Sequence, residues 1–212
     1  RHRAAMAAAP AGDPARVARI LEFMRIVGKL KEVKRTGWVR SGVKDAESVS
    51  DHMYRMAMMG FAMGSPDGVD SGKCIKMALV HDLGESIIGD LVVEGNQQDK
   101  ITREEKQRKE RQAVHDICAG IGGPTGEEIR DLWEEFEAGE TAEARHLKDL
   151  DKFEMVLQAS EYEESQSMEL SDFYRTTEGK FATPLFQQLD AEIRLRRTRR
   201  QEEAAAAPAA KR

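Results

Sequence analysis

Apolar residues recur at three- and four-residue intervals along almost all of this chain, and no stretch alternates cleanly at period two. Val17, Ile20, Leu21 and Met24 form one such row. Ile129, Leu132, Trp133 and Phe136 form another, at i, i+3, i+4 and i+7. A helix striped in this way must lay its apolar side on another helix. The pattern therefore predicts an all-α bundle with no sheet. At 212 residues the chain suits one domain with a substantial core.

Punctuation residues divide the pattern. After the first helix, residues 31–47 break the periodicity, with Gly37 and Gly42 in a basic loop. Ser48 and Asp51 form a capping-box signature for a second helix, which carries Met53, Met56, Met59 and Met63 and stops near Gly64 and Pro66. A third helix is expected over 72–88, ending in the Gly89 turn. Thr102 and Glu105 cap a charged fourth helix running to Gly120. Thr125 and Glu128 are expected to cap a fifth, which Gly139 ends. A sixth covers about 141–164, residues 165–182 take no clear assignment, and a last helix follows Pro184. Residues 14–198 read as one domain between a disordered leader, 1–13, and a disordered tail, 199–212. The Ala- and Arg-rich start fits either the remnant of an organelle transit peptide or a plain leader.

Several function classes are disfavoured. No apolar run approaches the roughly 18 residues of a membrane span. A net charge of −5 argues against broad nucleic-acid binding, and the basic run at 194–200 reads as a solvated helix end. Cys74 and Cys118 lie in helical segments and read as reduced core thiols of an intracellular, cytoplasmic protein.

The chemistry is expected where polar residues interrupt apolar faces. His81 and Asp82 sit deep in the apolar stretch CIKMALVHDLGESIIGD. Burying such a pair is costly unless something compensates, and a metal ion is one such partner. His52 shares a helix face with Met56, Met59 and Met63, so it points into the core. Asp151 lies on the inward side of the sixth helix, after Leu147 and Leu150. Each has a plainer reading alone: a hydrogen-bonded core histidine, or an aspartate orienting one. Together, two His and two Asp make a mixed nitrogen and oxygen ligand set, suited to Mn, Co, Fe or Mg rather than structural Zn. Glu85, one turn after His81, and Asp90, at the Gly89 turn, could touch a bound water or a second ion, or simply be a helix-end carboxylate and a turn residue. His2, His115 and His146 are expected in the leader or at the surface.

The order His52, His81–Asp82, Asp151 resembles the HD superfamily of metal-dependent phosphohydrolases. The stretches RTGWV, ESVSDHMYRMA, ALVHDLGESIIGD, LWEEFE and QASEYE are similar to those of the small HD-domain 5′-deoxynucleotidases, above all their eukaryotic branch. The resemblance spans about residues 17–190.

It implies an HD-domain helical bundle, usually a homodimer, that hydrolyses deoxyribonucleoside 5′-monophosphates to deoxynucleoside and phosphate. His52, His81, Asp82 and Asp151 would hold a divalent ion, with Mn, Co or Mg the candidates and Fe admissible. Glu85, Asp90 and the main-chain carbonyl of Leu91 would lie beside it and hold a second ion. On mechanistic grounds, rather than from the resemblance, Glu85 is expected to orient or deprotonate the attacking water and Asp90 to bring a proton to the departing 5′ oxygen. Trp38 would pack near the sugar and disfavour ribose. Bacterial members carry an arginine directly before that tryptophan to meet the phosphate. Here the position is Gly37, and Arg35 is the substitute on hand. The rival readings are an HD phosphohydrolase acting on a dNTP, a cyclic dinucleotide or an alarmone, and a non-catalytic HD-fold binding protein. The Gly-Tyr-Pro signature usual in the cyclic-dinucleotide class is absent, and all four metal positions are filled.

Overall fold

The computed structural model describes residues 12–64, 68–95 and 98–206. Its helices are α1 (Pro14–Lys29), α2 (Thr36–Arg40), α3 (Val49–Met63), α4 (Ser71–Ala78), α5 (Glu85–Ile88), α6 (Arg103–Ile121), α7 (Gly123–Ala138), α8 (Ala142–Gln166), α9 (Ser171–Thr177) and α10 (Pro184–Ala206). Among the described residues there is no strand, only an isolated bridge between Lys34 and Ser48. The all-α expectation holds.

Local chemistry sets several helix starts. The Ser48 hydroxyl accepts the Asp51 N–H while the Asp51 carboxylate accepts the Ser48 N–H, a reciprocal cap for α3. Thr102 caps α6 through the Glu105 N–H, and Thr141 caps α8 through the Ala144 N–H. The expected Thr125 cap is not formed. Helix α7 begins earlier, at Gly123, with no side-chain cap. Gly122 and Gly123 take positive φ of 63° and 61°, which glycine adopts without penalty, and Pro124 then starts the helix. A Cβ at Gly126 would lie 2.3 Å from the Cys118 carbonyl oxygen, so the first turn of α7 rests directly on the backbone of α6.

The predicted third helix, 72–88, is divided. Helix α4 stops at Ala78, and residues 79–84 follow a tighter path, with Val80, Leu83 and Glu85 donating to carbonyls three residues back. His81 and Asp82 therefore sit on a bend rather than in a helix. Gly84 allows it: a Cβ there would meet the Glu110 carbonyl of α6 at 3.2 Å.

Helix α8 runs through the middle of the molecule, with Leu147, Leu150, Val156 and Ala159 fully buried. It packs against α3, α4, α7, α9 and α10. A second apolar cluster joins Leu30, Val49, Met53, Leu83, Val114, Ile117 and Trp133. The unassigned stretches hold α2 and α9. Asp13, placed in the leader, caps α1, and α10 runs through residues 199–206 of the expected tail. Residues 1–11 of the leader, with His2, Pro66 at the α3 stop, and residues 207–212 of the tail lie outside the described residues. His146 is not at the surface as expected: it is buried, its ring 5.0 Å from that of Phe186. His115 is part-exposed and bonds Glu134. Cys74 and Cys118 are buried free thiols.

Candidate metal centre

Three separate segments deliver the four expected ligands to one place. His52 comes from α3, His81 and Asp82 from the bend, and Asp151 from α8. His52 Nε2 lies 3.2 Å from Asp151 Oδ1 and 3.9 Å from Asp82 Oδ2. His81 Nε2 lies 3.2 Å from Asp82 Oδ2. Donor atoms of His52, His81 and Asp82 fall within 4.8 Å of one another. The bend is pinned by the Trp133 indole N–H, which donates to the His81 carbonyl at 3.0 Å.

The two rings use their other nitrogens. His81 Nδ1 is 2.9 Å from the Ala78 carbonyl oxygen, so it carries the proton. His52 Nδ1 is 2.5 Å from Glu154 Oε2. Both Nε2 atoms are buried and make no hydrogen bond. Two orphaned imidazole nitrogens aimed at two carboxylates are what a divalent ion requires, so the residues fit the group. Glu47, His52 and Glu154 form a further close cluster, but there the His52 nitrogen is already engaged by Glu154.

The imidazoles and carboxylates of the centre shift one another strongly. Burial and Arg35 oppose protonation of His52, yet Glu154 and Asp151 outweigh them and raise it to about 9. Burial works against ionised Asp82, but His81, Arg35 and His52 hold it well below the usual carboxylate range. Glu85 behaves oppositely: burial, then Asp82 and Asp90, push it well above that range.

Glu85 is 2% exposed, and its Oε2 is buried without a hydrogen bond. Its other oxygen lies 3.8 Å from Lys106 Nζ, which also sits 3.3 Å from Glu110. Asp90 ties the loop to α2: its Oδ2 accepts the Thr36 N–H at 2.6 Å, and its carbonyl accepts the Thr36 hydroxyl at 2.8 Å. That clamp places Arg35 3.5 Å from Asp82. Leu91 lines the same cavity, of about 710 Å³.

Trp38 stands at the edge of this cavity but is 1% exposed. Its N–H donates to Glu47 at 2.9 Å, and its ring lies against Phe173, at 4.0 Å, and Tyr162, at 5.5 Å. Sequence reasoning missed Lys106, Glu110, Glu154 and Phe173. Glu154 carried a signal, three residues after Asp151 and so close to its face of α8. Lys106 sits in a helix of alternating charges, where nothing marks it.

A family model described as an HD domain matches residues 27–190. A protein of Dictyostelium discoideum named 5′-deoxynucleotidase HDDC2 is 50% identical over 185 residues, covering 82% of this chain and 95% of the relative. A human protein of the same name is 45% identical over 181 residues, covering 84% and 86%. Among solved structures, a conserved hypothetical protein from Pyrococcus furiosus is similar, with a TM-score of 0.68 and 33% identity over 82% of this chain and 98% of that one.

Proposed function

The chain belongs to the HD-domain family, and we propose that it is a metal-dependent 5′-deoxynucleotidase that hydrolyses deoxyribonucleoside 5′-monophosphates to deoxynucleoside and phosphate. The observation that carries this is the pair of unpartnered Nε2 atoms of His52 and His81, set with Asp82 and Asp151 at the wall of a nucleotide-sized cavity.

His52, His81, Asp82 and Asp151 would hold the divalent ion. The ion supplies charge neutralisation of the phosphate, its orientation, and acidification of water. Mn, Co and Mg suit the donor set, and Fe fits it as well. The carboxylates of Glu85 and Asp90, with the Leu91 carbonyl, are the groups for a second ion.

The protein's own residues divide the rest. Arg35 and Lys106 line the cavity and stay cationic beside its carboxylates, so both attract the phosphate dianion. Arg35 thereby supplies the guanidinium that Gly37 cannot. The unpartnered Glu85 Oε2 accepts the proton of the attacking water as the new P–O bond forms. As the bond from phosphorus to the 5′ oxygen breaks, that oxygen takes a proton, and Asp90 is the group assigned to relay to it the proton that Glu85 took from the water. Trp38 belongs to the sugar end of the cavity.

A homodimer is part of this reading. Val17, Leu21 and Met24 on α1, and Tyr54, Met58 and Phe61 on α3, form exposed apolar stripes that a second copy would cover. Buried free thiols support a reducing compartment. No helix among the described residues is long and apolar enough to cross a membrane.

The test is phosphate release from metal-stripped protein reloaded with Mn, Co or Mg, across a panel of nucleotides. Deoxynucleoside 5′-monophosphates should be turned over faster than their ribose counterparts. Release from none of them with any of the three metals would overturn the reading.

A further inference from the structure

An indole that is 1% exposed presents almost no surface to a ligand. The aromatic surface beside it belongs to Phe173 of α9. Its ring lies at 4.0 Å from that of Trp38, tilted by 33°, and it is only part-buried where it lines the cavity. We propose that Phe173 is the residue that sets sugar selectivity: its ring is the apolar wall that meets the sugar edge, and Trp38 is the backing that holds it. This rests on the deoxynucleotidase reading and deepens it.

Three observations carry the assignment. The first is position along the cavity. Arg35 contacts Asp82 and Thr36 binds Asp90, so the start of α2 marks the phosphate end. Gly37 follows directly, and Phe173 is the side chain packed on it. A Cβ at position 37 would lie 3.2 Å from Phe173 Cε1 and 3.4 Å from Cζ. Phe173 is thus the ring a nucleotide meets on leaving the phosphate end along this wall.

The second is mutual exclusion. Even a Cβ at position 37 would press on the Phe173 ring at 3.2 Å and push it by a few tenths of an ångström, so Gly37 and Phe173 work as a pair. The glycine gives up a side chain toward the phosphate, and the ring gains its seat.

The third is that the ring itself offers a hydroxyl nothing. Thr176 donates to the Phe173 carbonyl, and Thr177 to the Phe173 and Tyr174 carbonyls, so neither has a proton left for a sugar oxygen. Asp172 is engaged by Arg175. A ribose 2′-OH seated on the face of the Phe173 ring loses water against a surface with no hydrogen-bonding group, which the smaller deoxyribose edge avoids. The platform is firm: Tyr174 is buried beneath the Arg197 guanidinium, which also binds Glu163 and Ser171.

The experiment compares kcat/KM for dAMP and AMP, with metal content and melting temperature, in the wild type and in Phe173→Ala, Phe173→Leu and Trp38→Phe. An unpartnered hydroxyl corresponds to about 5- to 150-fold in specificity. Phe173→Ala should remove most of the dAMP preference by raising AMP relative to dAMP, with the metal retained. Phe173→Leu, which keeps apolar bulk and is the safer variant for folding, should shift the ratio the same way by less. Trp38→Phe, which keeps an aromatic backing under the ring, should keep the ratio, and a ratio that collapses there but not in the Phe173 variants would give the wall to Trp38 and overturn the assignment. An unchanged ratio in both metal-loaded Phe173 variants overturns the assignment, as does equal loss of both substrates with earlier melting, the signature of a packing role. A wild type that treats dAMP and AMP alike fails differently: it removes the deoxynucleotidase reading itself.

Discussion

His52 Nδ1 lies 2.5 Å from Oε2 of Glu154, a carboxylate with no exposed surface, and Arg55 binds the other oxygen of the same group at 2.7 Å. A carboxylate there favours the proton on Nδ1 and leaves the Nε2 lone pair facing Asp151 and Asp82, where the proposed ion would be held. The ring's tautomer and orientation are thereby fixed from behind by a chain of charges reaching Arg55 at the surface of α3.

Glu154→Gln should accordingly weaken metal binding while leaving the four ligands in place. Loss of such a partner typically costs about 10- to 100-fold in affinity. Metal titration followed by calorimetry measures it directly, and excess metal should restore much of the lost rate. Unaltered affinity would mean that His52 is oriented by packing alone.

Replacing a ligand is more severe. His81→Ala or Asp82→Ala should strip the ion and abolish hydrolysis, with helix content by circular dichroism largely intact, because both residues lie on the bend between α4 and α5 rather than inside either helix. An Asp82→Ala protein with full metal content and full rate would exclude this centre.

Glu85→Gln separates catalysis from binding. The first ion should remain, since His52, His81, Asp82 and Asp151 complete the set without it. The rate should fall by about 10²–10⁴-fold, the usual contribution of a general acid–base group. Near wild-type turnover at saturating metal would sink the proton-accepting role, and a lost ion would make Glu85 a ligand instead.

The thiols offer a pH readout away from the centre. Burial, then Glu143 and Asp70, pushes Cys74 up to about 12, and burial pushes Cys118 up to about 11. Both are neutral in the fold, so their contribution to stability is complete below the ordinary thiol pKa of roughly 8.5 and is lost as pH rises toward 11–12. Labelling by a thiolate-selective reagent at pH 8 should be slow in native protein and fast in denaturant. Equal rates in both would show that these helices open readily.

The residues determined by themselves what depends on near neighbours. Ser48 with Asp51, Thr102 and Thr141 cap helices because a hydroxyl reaches an N–H three positions on, whatever the rest of the chain does. The candidate ligands stood out in the sequence for an energetic reason: a histidine such as His52 on an apolar face is too costly to bury without a partner, and it is fully buried, whereas Asp151, expected to face inward, keeps a third of its side chain exposed. What depends on distant segments did not stand out. The predicted 72–88 helix breaks over 79–84, where Gly84 comes up against the Glu110 carbonyl of α6. The burial of His146 is decided by Phe186, and the seat of Phe173 by Gly37. Glu154 and His52 are 102 positions apart, and only the packing of α8 on α3 brings them together. Periodicity and capping repeat every three or four residues and can be read from a string, whereas a contact across the chain exists only after the core has closed and fixed which helix faces which.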